Sequence, residues 1–308
     1  MRVKHILFYA VYSFAAFFIF LILLFPKEKV ADIVCEKLNS KFPGGQIAIQ
    51  SIAPSFPLSL KAINTSILFN DGNEVKLDSI ILAPQILSLY KSIKKIGVKA
   101  EAYSGKIDGV IDLEKIKEDS KVRDLAKPSS SYDVNLSMVF ENLNIKNLKH
   151  NVEQFDIASS FIMSGKLNYS TLKAEMGGNG NGIIALSKCI VQSNNILLKQ
   201  IGIEKVSFTD INIEWSKGGD IFNIAVLDAK GSDIKIKLAG KILLNKPVDI
   251  STLDLKGEFE PTSANITSII AGLSGLSSLT KILSGSAKKG ISFKITGTLQ
   301  RPRVTPLI

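Results

Sequence analysis

Histidine and cysteine are nearly absent from this chain. Its 308 residues include two His (His5, His150) and two Cys (Cys35, Cys189). That scarcity excludes most His/Cys metal sites and a disulfide-stapled scaffold. A catalytic His pair is excluded too, because His5 sits in the short tail before an apolar run and leaves His150 alone. A Gly-x-Ser-x-Gly nucleophile elbow is missing, since Gly272-Leu273-Ser274-Gly275-Leu276 has the wrong spacing. The run Gly177–Gly182 lacks the Gly-Lys-Ser/Thr of a phosphate loop, and strand-like Ile183-Ile184-Ala185-Leu186 follows it. It reads as a hairpin turn. Glu258 and Glu260 lie two apart beside Lys256, which makes them one solvated strand face and not a glycosidase pair. No enzyme, metal or cofactor is expected.

Acidic residues are in deficit: 38 Lys+Arg against 28 Asp+Glu give a net charge of +10. Such a balance suggests solubility or an anionic neighbour, and says nothing of the fold. Aromatic residues do not interleave with the basic clusters, so nucleic acid is not an expected partner. Cys35 and Cys189 are too far apart in sequence for spacing to decide whether they pair.

What the chain does have is apolar residues, 45% of the total, with a mean hydropathy of +0.21. Residues 6–25 form a twenty-residue run without a charge. As a helix this run reaches about 30 Å, the hydrocarbon thickness of a bilayer. It is longer than a signal-peptide core and no A-x-A site follows. The expectation is a single uncleaved membrane anchor carried by Ile6, Leu7, Phe8, Phe17, Phe18, Phe20, Leu21, Leu23, Leu24 and Phe25. The short basic tail would stay cytoplasmic, with the remaining bulk of the chain on the far side.

After Pro26, residues Val30, Ile33, Val34 and Leu38 recur at helical spacing, stopped by Gly44-Gly45. From Gln46 onward the period becomes two. Ile234, Ile236 and Leu238 face away from Lys235 and Lys237. Leu253, Leu255 and Phe259 face away from Asp254, Lys256 and Glu258. Phe293 and Ile295 face away from Lys294. This is antiparallel sheet with one dry and one wet face. These eight apolar residues are the candidate groove face. Between Val206-Phe208 and Ile211-Ile213-Trp215 the phase slips by one, which predicts a β-bulge near Thr209-Asp210. Turns are expected at Asp71-Gly72, Gly105, Gly177–Gly182, Gly218-Gly219 and Gly231. Helices are expected over 84–93 and 262–284, and a joint near 118–132. The predicted organisation is 1–26 tail and anchor, 27–45 juxtamembrane helix and 46–308 β-rich domain.

An ordered series of segments carries a resemblance. It runs from the apolar span ending in Phe25-Pro26 through Ser51-Ile52-Ala53-Pro54-Ser55-Phe56-Pro57 and Leu82-Ala83-Pro84-Gln85-Ile86-Leu87-Ser88-Leu89. It continues through Ala102-Tyr103-Ser104-Gly105-Lys106-Ile107-Asp108-Gly109 and the glycine-rich Gly177–Gly182. It closes on Gly290-Ile291-Ser292-Phe293-Lys294-Ile295-Thr296-Gly297-Thr298-Leu299 and Pro302. In this order they resemble the type II secretion system protein N (GspN) family. One departure is Ser59, where the family pattern leads one to expect glycine. The resemblance implies a single-pass inner-membrane protein with a periplasmic β-rich domain, acting as a scaffold with other type II secretion proteins. It extends more broadly to AsmA-like and LptC-like anchored proteins. That wider likeness implies a long curved sheet (the β-taco type) that holds phospholipid on an apolar concave face.

Overall fold

The computed structural model describes residues 23–307 apart from 56–57, 71, 89, 116–131, 153–154, 172–177, 194–204 and 263–289, together with residues 5, 8, 9, 12, 13, 16, 17, 19 and 20. The chain is mainly β. Helix α1 (Lys27–Asn39) precedes fourteen strands that hydrogen-bond in their order along the sequence. Every strand pairing resolved in detail is antiparallel, as expected when short turns join successive strands. The chain divides into two compact units, Met1–Asp112 and Leu113–Ile308.

The first unit holds α1, β1 (Gly45–Ser55), β2 (Ser59–Phe69), β3 (Glu74–Pro84), β4 (Ile93–Ala102) and most of β5 (Gly105–Lys115). β1 is its free edge, and α1 packs on β1. The Asn39 side chain clamps that edge: its amide donates to the Ile47 carbonyl at 2.9 Å and accepts from the Ile47 N–H at 2.7 Å. A carboxamide presents the same donor and acceptor pair as a neighbouring strand, so it blunts an edge that would otherwise invite pairing. Ala31 is fully buried, with Val30, Val34 and Cys35 half-buried beside it. The inner face of α1 is therefore rotated from the expected stripe, since Ile33 is 56% and Leu38 41% exposed.

The second unit holds β6 (Tyr132–Val152), β7 (Phe155–Ser170), β8 (Asn179–Ser193), β9 (Lys205–Gly218), β10 (Ile221–Gly231), β11 (Ile234–Leu243), β12 (Thr252–Pro261), β13 (Ile291–Thr298) and β14 (Pro302–Pro306). The predicted bulge is present. Lys230 opposes Asp210 and Gly231 opposes Phe208, which leaves Thr209 as the extra residue on β9. Lys188, facing it on β8, takes a positive φ of 52°.

Three expectations change. The 84–93 segment is a 3₁₀ turn over Ile86–Ser88 followed by β4, too short to be the predicted helix. The turn before Gly105 is made by Tyr103 and Ser104, with φ of 51° and 61°, so two non-glycine residues take the left-handed conformations. Asn179 to Gly182 belong to β8 and not to a turn. Among the described residues no helix is long and apolar enough to cross a membrane. Of the anchor residues, Phe8, Phe17, Phe20, Leu23 and Leu24 are helical and exposed, and Phe25 follows the helix. Ile6, Leu7, Phe18 and Leu21 lie outside the described residues, as do the 118–131 joint and the helix expected within 262–284, save its first residue Thr262.

Candidate functional site: the apolar face of β6–β14

Residues directly opposite one another in a sheet share a face, so the register fixes what lies together. One row runs Met138, Leu167, Gly182, Trp215, Ile224, Gly240, Leu255, Ile295, Val304 from β6 to β14. The row beside it runs Phe140, Gly165, Ile184, Ile213, Leu227, Leu238, Gly257, Phe293, Pro306. A third carries Met163, Leu186, Ile211, Ala229, Ile236, Phe259 and Ile291. A fourth ends in Phe222, Ile242 and Leu253. These rows contain no charge except Lys217, which donates at 2.7 Å to the Gly219 carbonyl at the strand end. At about 4.8 Å per strand, nine strands span about 38 Å.

All eight candidate groove residues lie on this face: Ile236, Leu238, Leu253, Leu255, Phe259, Phe293 and Ile295 in the rows above, and Ile234 two residues from Ile236. Leu253, Leu255 and Ile234 are buried, and the others are half-buried. Three local devices keep the face continuous. The Thr209 bulge restores phase, so Phe208 joins Cys189, Ala229 and Ile234 in a buried cluster. Trp215 and Phe222 stack at 5.2 Å and 17° on adjacent rows. Aromatic rings lie over glycines directly opposite: Trp215 over Gly182, and Phe293 over Gly257, where an added Cβ would stand 2.5 Å from the Phe293 ring.

Trp215, Phe222, Phe208, Cys189 and Ala229 were not among the predicted groove residues. The signal was present as the phase slip at Thr209, which shows that the apolar stripe of β9 continues through the bulge.

The reverse face is charged. Lys237 lies between Asp228 and Glu258, Lys241 opposes Asp254, and Lys235 opposes Glu260. Ion pairs join Lys294 to Asp254 at 2.9 Å, Lys230 to Asp228 at 3.5 Å and Lys235 to Glu260 at 3.6 Å. Lys294 donates a hydrogen bond to Asp254 and, with its charge, holds that carboxyl below the usual carboxylate range. An open groove of about 660 Å³ on this side is lined by Asp228, Lys237, Lys256 and Glu258 among others. Ammonium and carboxylate groups alternate along this groove, Lys237 lying between Asp228 and Glu258. Among the described residues no cluster of His, Cys, Asp and Glu is suited to a metal. Cys35 and Cys189 are both free thiols, and burial raises the pKa of Cys189.

No known family model matches this chain, nor does any curated protein or solved structure.

Proposed function

We propose that this is a non-catalytic, membrane-anchored protein whose nine-strand apolar face receives acyl chains, in the manner of the AsmA-like proteins that its sequence resembles. The supporting observation is the apolar surface that runs from β6 to β14, about 38 Å across and charged only at Lys217 on a strand end. A sheet with one dry face must cover it, and an apolar ligand gains about 25 cal/mol per Å² buried there. The uncharged 6–25 run supplies the anchor, and the net charge of +10 suits a surface of anionic lipid. The test is native mass spectrometry of the full-length chain purified in mild detergent. Wild type should carry phospholipid, and Leu238→Lys, folded by circular dichroism, should carry less. Wild-type protein free of lipid overturns the reading.

A second reading is a scaffold component of type II secretion, located in the inner membrane with its main domain periplasmic. It is favoured by the ordered series of GspN-like segments from Phe25-Pro26 to Pro302. Deleting the gene should lower the amount of secreted exoprotein, and unchanged secretion removes this reading.

A further inference from the structure

One end of the first unit wears its apolar residues on the outside. The β3–β4 connection is pinned from within. The Ser88 hydroxyl donates to the Gln85 carbonyl at 2.6 Å and accepts from the Lys95 N–H at 2.9 Å, and Ser88 is only 4% exposed. The Gln85 N–H donates to the Lys95 carbonyl at 2.9 Å, and the Lys91 N–H to the Ser88 carbonyl at 3.0 Å. Within this bonded loop the polarity is inverted: the serine is buried, while Leu87 is 81% and Tyr90 90% exposed, with Ile86 exposed beside them. The adjoining strand ends add Leu60 and Leu82, which face one another across β2 and β3 and are both exposed. Leu58, in the β1–β2 connection at the same end, is exposed too. A contiguous exposed apolar tip is uncommon on a protein surface without a partner.

The two chain segments that form this tip carry charge of one sign. Residues 84–95 contain Lys91, Lys94 and Lys95 and no acid, and 54–61 contain Lys61 and no acid. Lys95 is bound to Asp112 at 3.0 Å, whereas Lys91 and Lys94 are exposed. Apolar and tyrosine side chains ringed by lysine match the acyl boundary and the anionic headgroups of a bilayer surface.

The fold also brings Phe25 and Pro26, where the chain enters α1, toward this end. Asn39, the last residue of α1, is tied to Ile47 near the start of β1. Among the described elements α1 packs on β1. A thirteen-residue helix that packs on an eleven-residue strand and ends beside its start runs back along it. Its length of about 20 Å carries Lys27 to the Pro54–Ser55 end. There the chain continues through Pro26 and Phe25 into the apolar run.

We propose that Leu87 and Tyr90 at this tip of the first unit, with Leu58, Leu60 and Leu82, dip into the headgroup layer of the membrane in which residues 6–25 are anchored. The anionic bilayer surface is thus a second, interfacial attachment that sets how this unit stands on the membrane. The proposal rests on the anchor reading above.

The test places the full-length chain in vesicles of phosphatidylcholine and phosphatidylglycerol with brominated acyl chains. Tyr90→Trp reports the tip. Tyr103→Trp, in the turn at the opposite end of β4, is the control. The emission each adds over wild type, whose sole tryptophan is Trp215, is compared with that in unbrominated vesicles. Emission from position 90 should fall about twofold, as for a ring sunk to the acyl boundary, and that from 103 should not change. Replacing Lys91 and Lys94 by Gln should weaken the quenching in the anionic vesicles. Unquenched emission at 90 from a chain that stays on the vesicles after an alkaline wash overturns the proposal, leaves the anchor standing and points the tip at a protein partner. A chain that washes off overturns both.

Discussion

Trp215 fills the space that a side chain at Gly182 would need. The two are directly opposed on β9 and β8, and a Cβ on Gly182 would stand 2.8 Å from the indole Nε1 and 2.7 Å from the Lys166 carbonyl. The neighbouring backbone cannot yield as a flexible side chain would. Gly182→Ala should therefore destabilise the second unit by about 1–3 kcal/mol. Because Trp215 is the sole tryptophan, its emission reports the change directly in a urea titration. An unshifted midpoint and spectrum would show that the indole does not lie on this glycine.

Leu255 is the one buried side chain of its row, 5% exposed, while Leu243 on the neighbouring strand points out at 48%. Leu255→Ala should cost about 2–5 kcal/mol, and Leu243→Ala less than about 0.5 kcal/mol. Thermal unfolding of the two variants side by side measures the contrast. Equal losses would contradict the assignment of the faces.

Asp254 is stabilised as a carboxylate by the hydrogen bond and charge of Lys294, with Lys256 and Lys241 adding to it. Its folded pKa lies below the unfolded value of about 3.9. The contribution to stability is thus present above that value and lost as pH falls through the lower, folded one. Asp254→Asn should melt below wild type near neutral pH, with the gap closing as the pH falls through that lowered folded value. Salt should narrow the gap at neutral pH, since the carboxylate is exposed. A gap that persists in acid would mean that packing, and not charge, separates the two proteins.

Asn39 holds both backbone groups of Ile47 on the free edge of the first unit. Asn39→Ala removes two hydrogen bonds and uncovers strand edge. A loss of about 1–3 kcal/mol and a rise in self-association are expected, read by thermal unfolding and sedimentation. Asn39→Asp, which keeps the acceptor and removes the donor, should fall between.

Both thiols are free, but Cys189 is buried and its pKa raised, while Cys35 is half-buried on α1. A thiol reagent should modify Cys35 in the native protein and reach Cys189 only when the second unit unfolds. Simultaneous labelling of both in the native state would place Cys189 outside the core cluster.

The alternation of apolar residues decides much by itself. In β11 and β12 the period of two assigns Ile236, Leu238, Leu253 and Leu255 to one face, because successive side chains of any strand point oppositely. The slip at Thr209 was legible for the same reason. The turn at Tyr103-Ser104 was not, since two non-glycine residues adopt positive φ only where the paired strands hold them there. Nor was the inner face of α1, since Ile33 and Ala31 are equally apolar in sequence and only the position of β1 chooses between them.

Gly180 and Gly182 show the division most clearly. Read along the chain, a glycine-rich run signals a turn, because glycine is permissive locally. In the sheet the same residues are strand, and their missing side chains make room for Trp215, thirty-three positions further on from Gly182. The sequence by itself determined a β-rich chain with a dry face, a wet face, little His or Cys and an uncharged run of twenty residues. The tertiary structure decided which strands adjoin, and hence that the dry residues of nine strands merge into one surface. Pairing is a contact between distant segments, and no local period encodes it.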